Sequence, residues 1–268
     1  MDKSPEKFRN YDKANEKIIN VYKLNHEHQT FDFAKKKYLQ YCTHFNIHQM
    51  SIWQALQRTD SIIDESDPDL DAAQIIHAFQ TAEALRKRFP DYDWLHLIGL
   101  IHDLGKVLLL PEFGSNQQWG VVGDTYPLGC EFSNKIVYHK FFENNPDKNN
   151  CLYNSKLGIY HENCGLANIT FSFGHDEYLY QVLVHNKCTI PEIGLRIIRY
   201  HSFYPWHRDN AYTYLENEND IEIKKWCQIF SQCDLYTKDN NEHINIEKLE
   251  PYYQKLINKY FPNQILQW

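Results

Sequence analysis

The 268-residue chain carries 28 Lys+Arg against 35 Asp+Glu, a formal charge of −7, and 43% of it is apolar, 24% charged and 15% aromatic. That composition supplies a real core and excludes a disordered chain, while the acidic balance argues against nucleic acid, whose phosphates call for excess Lys and Arg. Several of its 14 histidines sit inside apolar runs where a plain core would place leucine.

Residues 1–20 are polar and read as a partly mobile lead, from which Phe8-Arg9-Asn10-Tyr11 stands out. Beyond it, apolar spacing at i, i+3, i+4, scarce alternation and only ten Gly and ten Pro predict an all-helical (all-α) protein. Asp67-Pro68-Asp69 breaks the chain before a predicted helix over 72–89, closed by Pro90. A second helix is predicted over 93–108, capped by Asp93 and apolar around most of its circumference, hence buried. Pro111 and Gly114 open a loop-like stretch that runs to Gly129. Gly174 introduces a helix through His185, Pro191 falls in the first turn of another that ends before Pro205, and a last core helix covers 221–236. The Asn-rich segments 144–150 and 239–243 read as exposed connections. Nothing marks a domain boundary, so one catalytic domain over 1–268 is expected. Seven cysteines without a C-x-x-C pair, and no long apolar run, suggest a cytoplasmic protein in a reducing compartment with no membrane partner, and a monomer is expected.

Polar groups on apolar faces carry the chemistry. In the second predicted helix His102, Asp103 and Lys106 share one stripe, and a buried Asp103 demands a cation, whether Lys106, a metal or both. His96, on nearly the same line, reads as a hydrogen-bonded core histidine. The anomaly recurs at His77, His175 and His201 on three other helices and at Asp234 on a fifth. Each histidine alone reads as a satisfied core residue; together they read as a metal centre inside a helical bundle. Four imidazoles and two carboxylates exceed one tetrahedral zinc and suit two six-coordinate first-row ions. Asp103, beside His102, is the natural bridge. Imidazole ligation excludes calcium but leaves iron, manganese and zinc open.

The order His77, His102-Asp103, His175, His201, Asp234 is that of the HD-domain superfamily of all-helical metal proteins, and the chain resembles one branch of it closely, the myo-inositol oxygenase family. The resemblance is carried by Phe8-Arg9-Asn10-Tyr11, His28-Gln29-Thr30, Asp64-Glu65-Ser66-Asp67-Pro68-Asp69, His77-Ala78-Phe79-Gln80-Thr81-Ala82-Glu83 and His102-Asp103-Leu104-Gly105-Lys106-Val107. It continues through Val121-Val122-Gly123-Asp124-Thr125, Gly174-His175-Asp176-Glu177-Tyr178, His201-Ser202-Phe203-Tyr204-Pro205-Trp206-His207 and Asp234-Leu235-Tyr236-Thr237-Lys238. The segment 111–119 departs from the family's usual run.

The resemblance implies a di-iron oxygenase, mixed-valent Fe(II)/Fe(III) when active, that opens myo-inositol to D-glucuronate with dioxygen. It implies that His77, His102 and Asp234 hold the first iron and His175 and His201 the second, with Asp103 bridging. Substrate contacts are implied for Arg9, Asp64, Glu65, Ser66, Lys106, Gly123, Asp124, His201 and Ser202, with Lys106 and Asp103 as catalytic groups; Lys106 would help a substrate hydroxyl lose its proton. An uncharged polyol is held by many directional hydrogen bonds of this kind. Two rival classes are a metal-dependent phosphohydrolase of the same fold, disfavoured by carboxylates that would repel phosphate, and a metal-free helical interaction protein, which leaves Asp103 and Asp234 unexplained.

Overall fold

The computed structural model describes residues 11–68, 73–236 and 244–268. Arg9, Asp69, Thr237, Lys238 and the expected connection 239–243 lie outside them.

The chain opens with α1 (Glu16–His28) and α2 (Phe31–Tyr41), whose first-turn amides are satisfied by the side chains of Asn15 and Thr30. Between them the Gln29 side chain clamps the backbone of Phe173, donating to its carbonyl at 2.7 Å and accepting from its amide at 3.0 Å. This fixes the strand of chain that leads into His175. A Ser51–Gln54 capping box starts α3 (Ile52–Thr59). The central pair is α4 (Gln74–Arg88) and α5 (Asp93–Ile101). Leu95, Leu97, Ile98, Leu100 and Ile101 are all within 1% of full burial, each contributing about 1.5–3 kcal/mol. Gly99 allows the close approach of these helices: a Cβ there would lie 2.7 Å from Ala82 Cα.

After α5 the chain runs through 3-10 turns, Leu104–Leu109 foremost, and irregular loops until α6 (His175–His185). Then follow α7 (Glu192–Tyr200), the single turn α8 (Tyr204–His207), α9 (Glu218–Tyr236) and α10 (Ile246–Tyr260). Two short strands, β1 (Gln49–Met50) and β2 (Leu266–Gln267), pair antiparallel with Gln49 opposite Gln267 and Met50 opposite Leu266. The last residue, Trp268, is fully buried and donates from its indole to the Met50 carbonyl. All seven cysteines are free. Among the described residues no helix is long and apolar enough to cross a membrane.

The helical class and the order of the core helices agree with the sequence, but four local expectations do not. The second core helix stops at Ile101, not 108; His102 is its C-cap, and the chain tightens into a 3-10 turn in which the Lys106 amide bonds the Asp103 carbonyl at 2.9 Å. Asp93 does not cap α5: it lies inside the first turn and pairs with Lys259 at 2.6 Å and with the Tyr260 hydroxyl of α10. Pro191 is the N-cap of α7 rather than a first-turn residue. The 144–150 segment is not a plain exposed connection, since Asn145 is fully buried, donating to the carbonyls of His26 and Gln29, and Asp147 accepts from the Phe31 amide at 2.6 Å. Asn and Asp there serve backbone groups that a surface loop would leave to water.

Candidate metal centre

Helix ends place the polar groups. His77 comes from the first turns of α4, His102 caps the C-terminus of α5, His175 begins α6, His201 caps the C-terminus of α7 and Asp234 lies in the last turn of α9. A helix C-terminus leaves carbonyls without intrahelical donors. Here the caps supply them: His102 Nδ1 donates to the Gly99 carbonyl at 2.9 Å and His201 Nδ1 to the Ile198 carbonyl at 2.8 Å. His175 Nδ1 likewise donates to the Val121 carbonyl at 2.9 Å. In all three rings the carbonyl accepts from Nδ1–H, so Nε2 is the atom turned into the shared space, the orientation a metal ligand requires. Gly105 lets the 3-10 turn seat against α6, since a Cβ would fall 2.0 Å from the His175 carbonyl oxygen.

The donors gather in two sets that share one residue. His77, His102 and Asp103 form one, and Asp103, His175 and His201 the other. Asp103 Oδ2 lies 3.5 Å from His102 Nε2, and its Oδ1 lies 3.3 Å from His175 Nε2 and 3.8 Å from His201 Nε2. One carboxylate thus turns an oxygen to each set. It does so from the junction between α5 and the 3-10 turn, not from the continuous helix expected. Asp234 Oδ1 approaches His77 Nε2 at 2.9 Å and His102 Nε2 at 3.4 Å.

Lys106 is buried beside them, donating to Asp103 Oδ2 at 2.8 Å and Asp64 Oδ2 at 2.7 Å, with Gln74 Oε1 at 3.5 Å. Burial alone would lower its pKa, but Asp103 and Asp64 overcome it and hold the ammonium above the ordinary lysine range. Burial would equally raise Asp103, yet Lys106 and His102 keep that carboxyl well below the usual range. Asp234 is held down in the same way by His102 and His77. Asp64 stays ionised against burial through Lys106 and through Ser66, which donates from its hydroxyl at 2.6 Å and its amide at 2.9 Å.

Asp64 and Asp103 hold the Lys106 ammonium in a cleft that Asp234 and the four imidazoles of His77, His102, His175 and His201 also line. Buried imidazole Nε2 atoms and carboxylate oxygens facing one another form the kind of nitrogen and oxygen donor set that first-row metal ions take. The donor set fits metal cations, and the protein has a metal cofactor.

Of the sequence candidates, Asp64, Ser66, Lys106, Gly123, His201 and Ser202 line this cleft with the metal-competent residues, and Tyr22, Asp67 and Tyr204 complete the wall. The Asp124 carboxylate is not on it, and accepts from the Tyr22 hydroxyl at 3.0 Å. Glu65 is not on it either; its amide faces Gln118 Oε1 at 3.4 Å. His96 is a satisfied core histidine, 2.7 Å from the Tyr252 hydroxyl and 2.8 Å from the Phe89 carbonyl. Asp176 was missed. It is buried with Oδ1 2.8 Å from His175 Nε2, and the signal was present: His175-Asp176 repeats the pairing of His102-Asp103.

A model of the family described as myo-inositol oxygenase matches residues 15–268. The chain is 51% identical over 267 residues to an inositol oxygenase of Dictyostelium discoideum, covering 99% of this chain and 91% of that protein. It is 52% identical over 264 residues to inositol oxygenase 1 of Arabidopsis thaliana, covering 97% and 84%. To the inositol oxygenase of Danio rerio it is 49% identical over 272 residues, covering 100% and 95%. With its helical frame and paired donor sets, the chain belongs to the myo-inositol oxygenase family.

Proposed function

We propose that this protein opens the ring of myo-inositol with dioxygen to give D-glucuronate, at two iron ions held by the donor sets that share Asp103. The observation that carries the reading is Asp103 itself, one oxygen turned to His102 and the other to His175 and His201, in a chain of this family. The first iron falls to His77, His102, Asp234 and Asp103, the second to His175, His201 and Asp103. Bound there as a mixed-valent Fe(II)/Fe(III) pair, iron supplies dioxygen activation and Lewis acidity toward a polyol hydroxyl.

The chain's own groups do the rest. Lys106 holds its ammonium at the carboxylate that joins the two sets, where it donates to a substrate hydroxyl oxygen and favours loss of that hydroxyl's proton. Asp64 anchors the ammonium from the other side and leaves Ser66 beside it. Ser202 and the Gly123 backbone face the same cleft and orient an uncharged ring through hydrogen bonds. Arg9 and the Asp124 carboxylate remain proposed substrate contacts. Phe230 packs against the rings of His102 and His201, at 5.2 and 6.0 Å, and walls water from the donors.

The balance closes: both oxygen atoms of dioxygen are consumed, one entering the product and one leaving as water, and cleavage of one C–C bond to a carboxylate and an aldehyde accounts for all four electrons. No external reductant is consumed. The substrate is small and neutral, in keeping with a cytoplasmic monomer that engages neither nucleic acid nor membrane. Protein loaded with iron under reducing conditions is expected to take up oxygen only with myo-inositol present, releasing glucuronate. Absence of inositol-dependent uptake in protein holding about two irons per chain overturns the proposal. Hydrolysis of phosphate esters with manganese in its place favours the phosphohydrolase alternative.

A further inference from the structure

We propose that a second cleft, between α2, α6 and α7, is a binding site for a small organic carboxylate with an apolar body. It encloses about 1320 Å³ and, among the described residues, shares none of its lining with the metal cleft. Phe171 and Phe173 give it a buried apolar wall, while Leu39 of α2 and Val184 of α6, also on it, are 64% and 45% exposed. Large apolar side chains left open along one cleft suit an apolar ligand surface.

Charge selects the head group. The chain carries −7, yet Lys35, Arg196 and Arg199 line this cleft against one carboxylate, Glu177, among the described residues. Both oxygens of Glu177 are already engaged, accepting from Arg199 Nε at 2.6 Å and from Gln181 Nε2 at 2.7 Å. Arg196 likewise spends Nε on Glu192, at 2.6 Å. The Nη1 atoms of both arginines then converge on a single acceptor, the Tyr200 hydroxyl, at 3.5 and 3.4 Å, too long for strong hydrogen bonds. Both guanidiniums also lie over the Tyr180 ring, 5.3 and 5.0 Å from its centroid. A guanidinium on a ring face keeps its N–H edges free to donate sideways. Two cations gathered at one hydroxyl, with terminal donors to spare, match the planar pair of oxygens of a carboxylate. A ligand body covering Leu39 and Val184 takes their surface out of water, which a bare inorganic anion does not do.

The test is equilibrium binding to the metal-loaded full chain of phenylacetate, its neutral isostere phenylacetamide, and sulfate, by isothermal titration and ligand-observed NMR. Phenylacetate is expected to bind saturably, and the amide and sulfate about 10–100-fold more weakly, since each lacks one of the two features. Arg196→Gln removes one cation and keeps much of the side chain's length; Leu39→Glu sets an anion at an exposed position. Each is expected to weaken phenylacetate by about tenfold or more, with melting temperature and metal content as in the parent. Equal binding of phenylacetamide overturns the carboxylate head, equal binding of sulfate overturns the apolar body, and no saturable binding of phenylacetate up to millimolar concentration overturns the site altogether. Unchanged phenylacetate affinity in either folded variant also overturns it, by placing the ligand elsewhere, the metal ions included.

Discussion

Lys106 lies between two carboxylates that keep it charged, and its three donors reach Asp103, Asp64 and Gln74. Removing the ammonium leaves all six proposed ligands in place. Lys106→Ala is therefore expected to retain iron while turnover falls about 10²–10⁴-fold; metal analysis and glucuronate release on one preparation check it, and parent-like turnover would refute the role. His102→Ala and Asp103→Ala are expected to lose metal instead, Asp103→Ala from both positions, as measured by metal content after desalting. Much of the residue scale was legible in the sequence. An imidazole or carboxylate on an apolar helix face is conspicuous, and His77, His102, Asp103, His175, His201 and Asp234 do converge in the fold. Asp176 escaped although it repeats the His-Asp pairing, because the groups that fix its carboxylate, the hydroxyls of Thr125 and Ser202, come from distant segments. Pointing both residues inward depends on their position at the first turn of α6, which composition does not reveal.

The site is assembled from helix termini, and that is where sequence patterning informs least. Nothing in the apolar run from 94 to 108 announces a stop at Ile101, because no proline or helix-breaking pair stands there. The stop comes from tertiary contacts: His102 bends back onto the Gly99 carbonyl, and the following turn packs its Gly105 against the backbone of His175. The chain before α6 is held in turn by the Gln29 clamp on Phe173 and by the Val121 carbonyl, which accepts from both the amide and the ring of His175. These long-range contacts explain why His28-Gln29-Thr30 and the segment from Val121 belong with the metal residues. Gly105→Ala would drive a methyl group into the His175 backbone. We expect a loss of about 1–3 kcal/mol together with lower occupancy of the second metal position, checked by thermal melting and metal analysis. A variant with parental melting and full occupancy would show that this contact is not needed.

Across the whole molecule, the core is stable only with charges that balance. Chelation leaves the buried carboxylates compensated only by Lys106 and by the imidazoles beside them. Metal at a hundredfold excess over its Kd should add about 3 kcal/mol, or roughly 6–10 °C in melting temperature; coincident melting curves for loaded and stripped protein would contradict a structural contribution from the ions. A second stability term comes from a histidine outside the donor sets. Burial moves the His26 pKa from 6.5 down to about 4, against the Val137 carbonyl to which its ring donates. Below pH 6.5 the unfolded chain takes up this proton and the folded one does not, so the contribution is full above 6.5 and declines as pH falls toward about 4. The decline amounts to about 3 kcal/mol. His26→Gln should flatten the difference between urea melts at pH 7 and pH 5, and parallel pH slopes in parent and variant would refute it.

The fold class was readable from periodicity alone, while the loops from 102 to 174 that carry the clamp and the cleft were not, since their order comes from side-chain bonds to distant backbone. Oxygenase and hydrolase readings of the same ligands divide on one measurement, the fate of isotopic oxygen during turnover of myo-inositol by iron-loaded protein under ¹⁸O₂. Glucuronate carrying one heavy oxygen atom is the expected result, with the second recovered in water. Unlabelled product, or turnover that persists without oxygen, would contradict ring opening by dioxygen at this centre.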